Sequence, residues 1–99
     1  MKSILQQNKA CYICHDTRNV QKHHIYEGSR RQMSERNGFW VYLCPEHHNL
    51  GSFSVHRDPA LNRWMKKVCQ MRYEEGHAHD DFMKLVGKNY LEVSGGNLS

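Results

Sequence analysis

Cys11 and Cys14 sit on either side of two residues near the start of the chain, and Cys44 and His47 repeat that spacing thirty residues later. A structural zinc site takes four ligands in a tetrahedron, drawn from Cys and His. A Cys-x2-Cys turn supplies two, and a pair at the start of a helix supplies two more. Further histidines stand close by: His23-His24 lies between the pairs, and His48 follows His47 directly. Cys11, Cys14, Cys44 and His47 can therefore close one structural site. The remaining histidines can form a second site that stays open. An isolated Cys-x2-Cys says little, but two such pairs flanking a predicted hairpin are a much stronger signal.

A chain of 99 residues bounds one small domain. Only 38% of its residues are hydrophobic, so the core is modest. A metal is one of the staples that compensate for a small core. The expected class is α+β, with a lead-in over 1–10, a single domain over 11–93 and a disordered tail over 94–99. A formal charge of +4 and a pI near 9.0 favour polyanions as partners, nucleic acid first. No run approaches a membrane span, so no membrane association is expected. Met1 to Gln7 has one lysine and too short an apolar stretch for a secretory signal. The cysteines are then expected in a reducing cytoplasm, where pairs read as metal ligands rather than disulfides.

Val20 to Tyr26 alternates as a strand, and Phe39 to Leu43 is the strongest strand in the chain, aromatic and β-branched. Together they predict a hairpin. Its long tip, Glu27 to Gly38, is polar and reads as a loop. Pro45 suits the first position of a short helix to about Leu50 that carries His47 and His48. Gly51 to Arg57 reads as a loop. Asp58-Pro59 is a start signal for a helix over about 60–75, with apolar residues at 61, 64, 65 and 68. A last short helix is expected over about 80–86, stopped by Gly87. Trp64, Met65 and Val68 are expected in the core under Trp40, with Cys69 also buried. His77 and His79 are expected at the surface, and His15 receives no role.

Adjacent histidines can divide labour. Neighbouring side chains on a helix point about 100° apart, so His47 and His48 suit two ions better than one. Successive strand residues point to opposite faces, so His23 and His24 also separate. Arg30, Arg31 and Arg36, between the strands, can grip phosphates, and Arg63, Lys66, Lys67 and Arg72 offer a second basic face.

The combination Cys11-x2-Cys14, His23-His24 and Cys44-x2-His47-His48 resembles the HNH endonucleases, whose core is a ββα-metal motif of treble-clef-like zinc type. It is most similar to small phage and prophage proteins of that family, with a segment like Trp40 to His48 and an ending like Phe82 to Tyr90. The resemblance covers roughly Cys11 to Leu91. It implies a zinc-stabilised domain with additional C-terminal helices that hydrolyses DNA phosphodiester bonds in a bacterial host cytosol. It implies His24 as general base, and His23 and His48 as ligands of a catalytic ion (Mg2+, Mn2+, Ni2+ or Zn2+). His56 would return through the preceding loop as a third ligand. Cys11, Cys14, Cys44 and His47 would hold the structural zinc. Two positions depart from the pattern. Phe39 stands where many members carry an asparagine, and Ser52 stands where others carry a second histidine. The alternative is a non-catalytic zinc module that binds DNA or a protein partner.

Overall fold

The computed structural model describes residues 1–91, so the expected tail over 94–99 lies outside the described residues. The architecture is α+β. Strands β1 (Gln21–His24) and β2 (Trp40–Leu43) pair antiparallel, with His23 opposite Val41 and His24 opposite Trp40. Helix α1 (Arg31–Asn37) lies within the hairpin tip, α2 is Pro59–Glu74, and α3 is His79–Val86. A wide helical turn over Glu46–Leu50 follows β2, closed by the Gly51 amide donating to the Glu46 carbonyl at 2.9 Å.

The hairpin and α2 start where the sequence places them. Asp58 caps α2 by accepting from the amides of Ala60 at 3.0 Å and Leu61 at 3.2 Å. Its buried stripe is Leu61, Met65 and Cys69, spaced four apart on one face. Against it pack Ile25, Phe39, Val41 and Leu43 of the hairpin and Phe82 and Val86 of α3, all in one core. An aromatic cluster sits at the centre. Tyr26 meets Phe39 edge-on at 5.6 Å and Phe82 at 5.8 Å. The buried Tyr26 hydroxyl donates to the Lys66 carbonyl at 2.8 Å, which satisfies its polar end.

Three expectations are corrected. The hairpin tip is not a loop, since α1 fills it. The Ser34 hydroxyl, fully buried, donates to the Tyr26 carbonyl at 2.9 Å and accepts from the Tyr26 amide at 3.2 Å. Gly38, at φ +73°, then ends the helix in a left-handed cap, where an added Cβ would collide with the Lys2 carbonyl. Trp64 is not core: it is 46% exposed, because the buried stripe runs through residues 61, 65 and 69 and turns position 64 outward. It stacks obliquely on Tyr12 at 6.3 Å, while Val68 is half-buried. Trp40 packs elsewhere, its indole donating to the Met1 carbonyl at 3.2 Å. Finally, the lead-in, polar in sequence and expected as a loose segment, is held in place. Ile4 donates to the Gly38 carbonyl at 3.0 Å, and the Gln6 side chain accepts from the Tyr42 amide, so residues 1–6 line the outer edge of β2.

Candidate metal centres

Cys11 and Cys14 project from a turn closed by the Cys11 amide donating to the Asp16 carbonyl and the His15 amide to the Cys11 carbonyl, both at 2.8 Å. The Tyr12 amide donates to the Tyr42 carbonyl, also at 2.8 Å, and so fastens this turn to β2. β2 delivers Cys44 at its end, and the following turn brings His47 back over it. All four ligand atoms lie within 4.8 Å of one another. The Cys14 and Cys44 sulfurs are 3.7 Å apart, and His47 Nδ1 is 3.3 Å from Cys44 Sγ and 3.7 Å from Cys11 Sγ. With Zn–S near 2.3 Å and Zn–N near 2.0–2.1 Å, a tetrahedron has edges of about 3.4–3.8 Å, so the donor set and its spacing fit such an ion. The cysteines are free thiols, and a 3.7 Å sulfur separation is far from a disulfide bond.

The surroundings favour thiolate at Cys11. Burial works to raise the Cys11 pKa, but amide donors at Cys14, Cys44 and Ile13, with His47, bring it down to about 6. Cys44 moves the other way, held up by burial and by its two thiol neighbours. Cys11 thus ionises readily, whereas Cys44 keeps its proton more tightly unless a cation balances the charge.

A second group forms from three histidines. His23 of β1, His48 of the wide turn and His56 beyond it offer ligand atoms within 4.8 Å of one another. His48 and His56 approach Nε2 to Nε2 at 3.2 Å, close to the roughly 3.3 Å edge of a tetrahedron with metal–nitrogen bonds near 2.0–2.1 Å. The His23 ring meets His48 at 5.4 Å and His56 at 5.5 Å, both edge-on. The return of His56 has a backbone cause. The Val55 amide donates to the His47 carbonyl at 3.0 Å and the His56 amide to the His48 carbonyl at 3.3 Å, so the loop runs back along the turn.

His23 is 3% exposed, and burial pushes its pKa down to about 4. Burial also lowers His48. Both rings are therefore neutral near pH 7, the form that binds a cation. His48 Nδ1 is buried without a protein partner among the described residues. Among the described residues no carboxylate joins the trio, although Glu27 approaches His23 Nε2 at 4.0 Å. Burial works to raise Glu27, but Lys66 at 3.3 Å and Asn62 at 3.2 Å outweigh it and keep it ionised.

His24 does not join the trio. The next position along β1 turns it to the other face, where Nε2 lies 2.6 Å from the Glu35 carboxylate. Lys22, on that same face, reaches Glu35 at 3.1 Å. Glu35 and Glu27 are the residues that sequence reasoning missed. Glu35 reaches His24 only because α1 is a helix, and its seven residues show no apolar periodicity beyond Met33. Arg31 and Arg36 are exposed on α1, but Arg30 is directed to the end of α3, its guanidinium donating to the Leu85 carbonyl at 3.4 Å. Lys66 is tied to Glu27, and Arg72 contacts the Ile4 carbonyl and Glu75. Among the described residues, no helix is long and apolar enough to cross a membrane. No family model, curated protein or solved structure matches the chain.

Proposed function

We propose that this protein is a metal-dependent DNA endonuclease of HNH type, built on a ββα-metal, treble-clef-like domain. The observation that carries this reading is the convergence of His23, His48 and His56 beside the Cys11, Cys14, Cys44 and His47 group. Chain neighbours His47 and His48 serve different groups, so one turn fixes two sites side by side. In this reading the Cys3His group holds zinc as a structural staple.

The histidine trio holds a divalent ion, with manganese, nickel or zinc better matched to imidazole than magnesium alone. Such an ion supplies charge relief at a phosphodiester and at its leaving oxygen. The chain's own residues do the rest. His24 takes the proton of the attacking water as the new P–O bond forms and the old one breaks. Arg31 and Arg36 contact flanking phosphates, an interaction that weakens with salt. No residue presents a base-reading motif, so the reading specifies backbone chemistry rather than a target sequence.

One observation favours a second reading, a zinc module that binds without cleaving. Phe39, at the position where many HNH enzymes carry asparagine, is fully buried in the aromatic core. Purified protein incubated with plasmid and each divalent ion, beside His24→Ala and His48→Ala, separates the two. The nuclease reading expects metal-dependent nicking by the wild type, lost in both variants. Bound metal gives the same division, with two ions per chain for the nuclease and one for the module. A wild type that leaves plasmid intact with every ion sinks the nuclease.

A further inference from the structure

We infer that Glu35 is the positioning residue for His24, holding its ring by Nε2 so that Nδ1 is left free to accept a proton. This deepens the nuclease reading and rests on it for the role of His24 in cleavage. The geometry is direct. His24 Nε2 stands 2.6 Å from Glu35 Oε1, and Nδ1 has no protein partner among the described residues. A carboxylate can only accept, so the proton of a neutral His24 ring sits on Nε2 and the lone pair on Nδ1. His24 and Lys22 held by the same carboxylate keep Glu35 well below the usual carboxylate range, so it remains an acceptor at neutral pH.

The support behind Glu35 is unusually firm for a surface residue. Lys22 bridges both of its oxygens, at 3.3 and 3.1 Å, and lies over the Trp40 ring at 4.1 Å. The next residue back, Ser34, is fully buried and tied in both directions to the Tyr26 backbone. Its carbonyl also accepts from the Phe39 amide at 2.8 Å. α1 is thus fastened at the end of β1 and at the start of β2, and it presents Glu35 across the hairpin. A carboxylate that orients an imidazole and fixes its tautomer is a general device for making a base. Here it occupies the role left open by Phe39, which has no polar group to offer.

Two readouts on zinc-loaded protein test this. Nitrogen NMR of His24 reports which ring nitrogen carries the proton, and steady-state plasmid cleavage separates kcat from KM. Wild type and Glu35→Gln, whose amide oxygen still accepts, are expected to hold His24 in the Nε2–H form. Glu35→Ala is expected to release it to a mixture. Its kcat should fall about 100-fold, the lower end of what a positioned general base supplies, with KM little changed. Glu35→Gln should recover most of that loss. A His24 protonated at Nδ1 in the wild type overturns the assignment, even if plasmid is cleaved. So does a Glu35→Ala protein that keeps the tautomer and the rate, or loses rate only as its folded fraction falls. Absence of cleavage by the wild type sinks the nuclease reading instead, and the tautomer measurement distinguishes the two failures.

Discussion

His47 and His48 are neighbours in the chain, yet the groups they join differ in chemistry, in burial and in what holds them. His47 joins three cysteines, two of them buried, on segments pinned by backbone hydrogen bonds to β2. His48 joins two imidazoles, one buried in β1 and one exposed at the end of a returning loop. In the first group, burial and the neighbouring thiols hold the proton on Cys44, so its thiols ionise together only when a cation balances the charge. In the second, burial lowers His23 and His48, so those two rings are neutral near pH 7. On the reading proposed above, the first belongs to folding and the second to exchangeable binding. A small domain with a modest core can be held together by the former while spending the latter on chemistry.

The largest test of that difference is Cys14→Ser. Structural zinc contributes on the order of 10–16 kcal/mol of apparent binding energy, as much as a small domain's whole stability of about 5–15 kcal/mol. The variant is expected to lose its cooperative thermal transition by circular dichroism and to purify without metal. Strong chelation of the wild type should do the same. A soluble Cys14→Ser protein that melts like the wild type removes the structural role from this group.

A smaller effect isolates the trio. With no ion in it, His23 is buried neutral with a pKa of about 4, against 6.5 for the free side chain. Below pH 6.5 the unfolded chain takes a proton that the folded chain refuses. Stability is thus at its full value above pH 6.5 and falls as pH drops toward 4, by about 3 kcal/mol, given 1.36 kcal/mol per unit. Urea titrations across that range of wild type and His23→Leu, each carrying one zinc in the Cys3His group and none in the trio, should diverge, with the variant flatter. Parallel slopes would show that His23 is not held neutral by its surroundings.

Much of this contrast is legible in the sequence, and the illegible parts share a cause. The Cys-x2-Cys and Cys-x2-His spacings identify a four-residue group because such pairs carry their own local geometry. The strands and α2 follow from alternation, Asp58-Pro59 and the glycine stops. The return of His56 is readable only as a possibility of loop length, since its backbone bonds to the turn leave no mark in composition. α1 is hidden for a related reason. Seven residues, six of them polar, are too few to be a stable helix alone, and Ser34 holds this one by its bonds to Tyr26. With α1 hidden, Glu35 is hidden too. Trp64 fails in the opposite sense: apolar spacing names a face to within one position, and the stripe of 61, 65 and 69 leaves Trp64 just outside it.

The smallest stability effect, and the sharpest separation of the two groups, is expected from His56→Ala. His56 is exposed and touches only the rings of its two trio partners, so its loss should change stability by no more than about 0.5 kcal/mol. Its effect on the second ion should be large by comparison. Outer partners of metal ligands are worth roughly 10–100-fold in affinity, and removing a ligand itself should cost at least that. Isothermal titration of manganese or zinc into protein whose Cys3His group is already filled reads this directly. The expected result is an unchanged melting curve, one retained ion per chain, and a second binding event weakened beyond tenfold. A variant that binds the second ion as tightly as the wild type would leave His23 and His48 as the whole site and make the returning loop structural. A variant that also loses its first ion would mean that the two groups are coupled through the turn they share, and the division between His47 and His48 would fail.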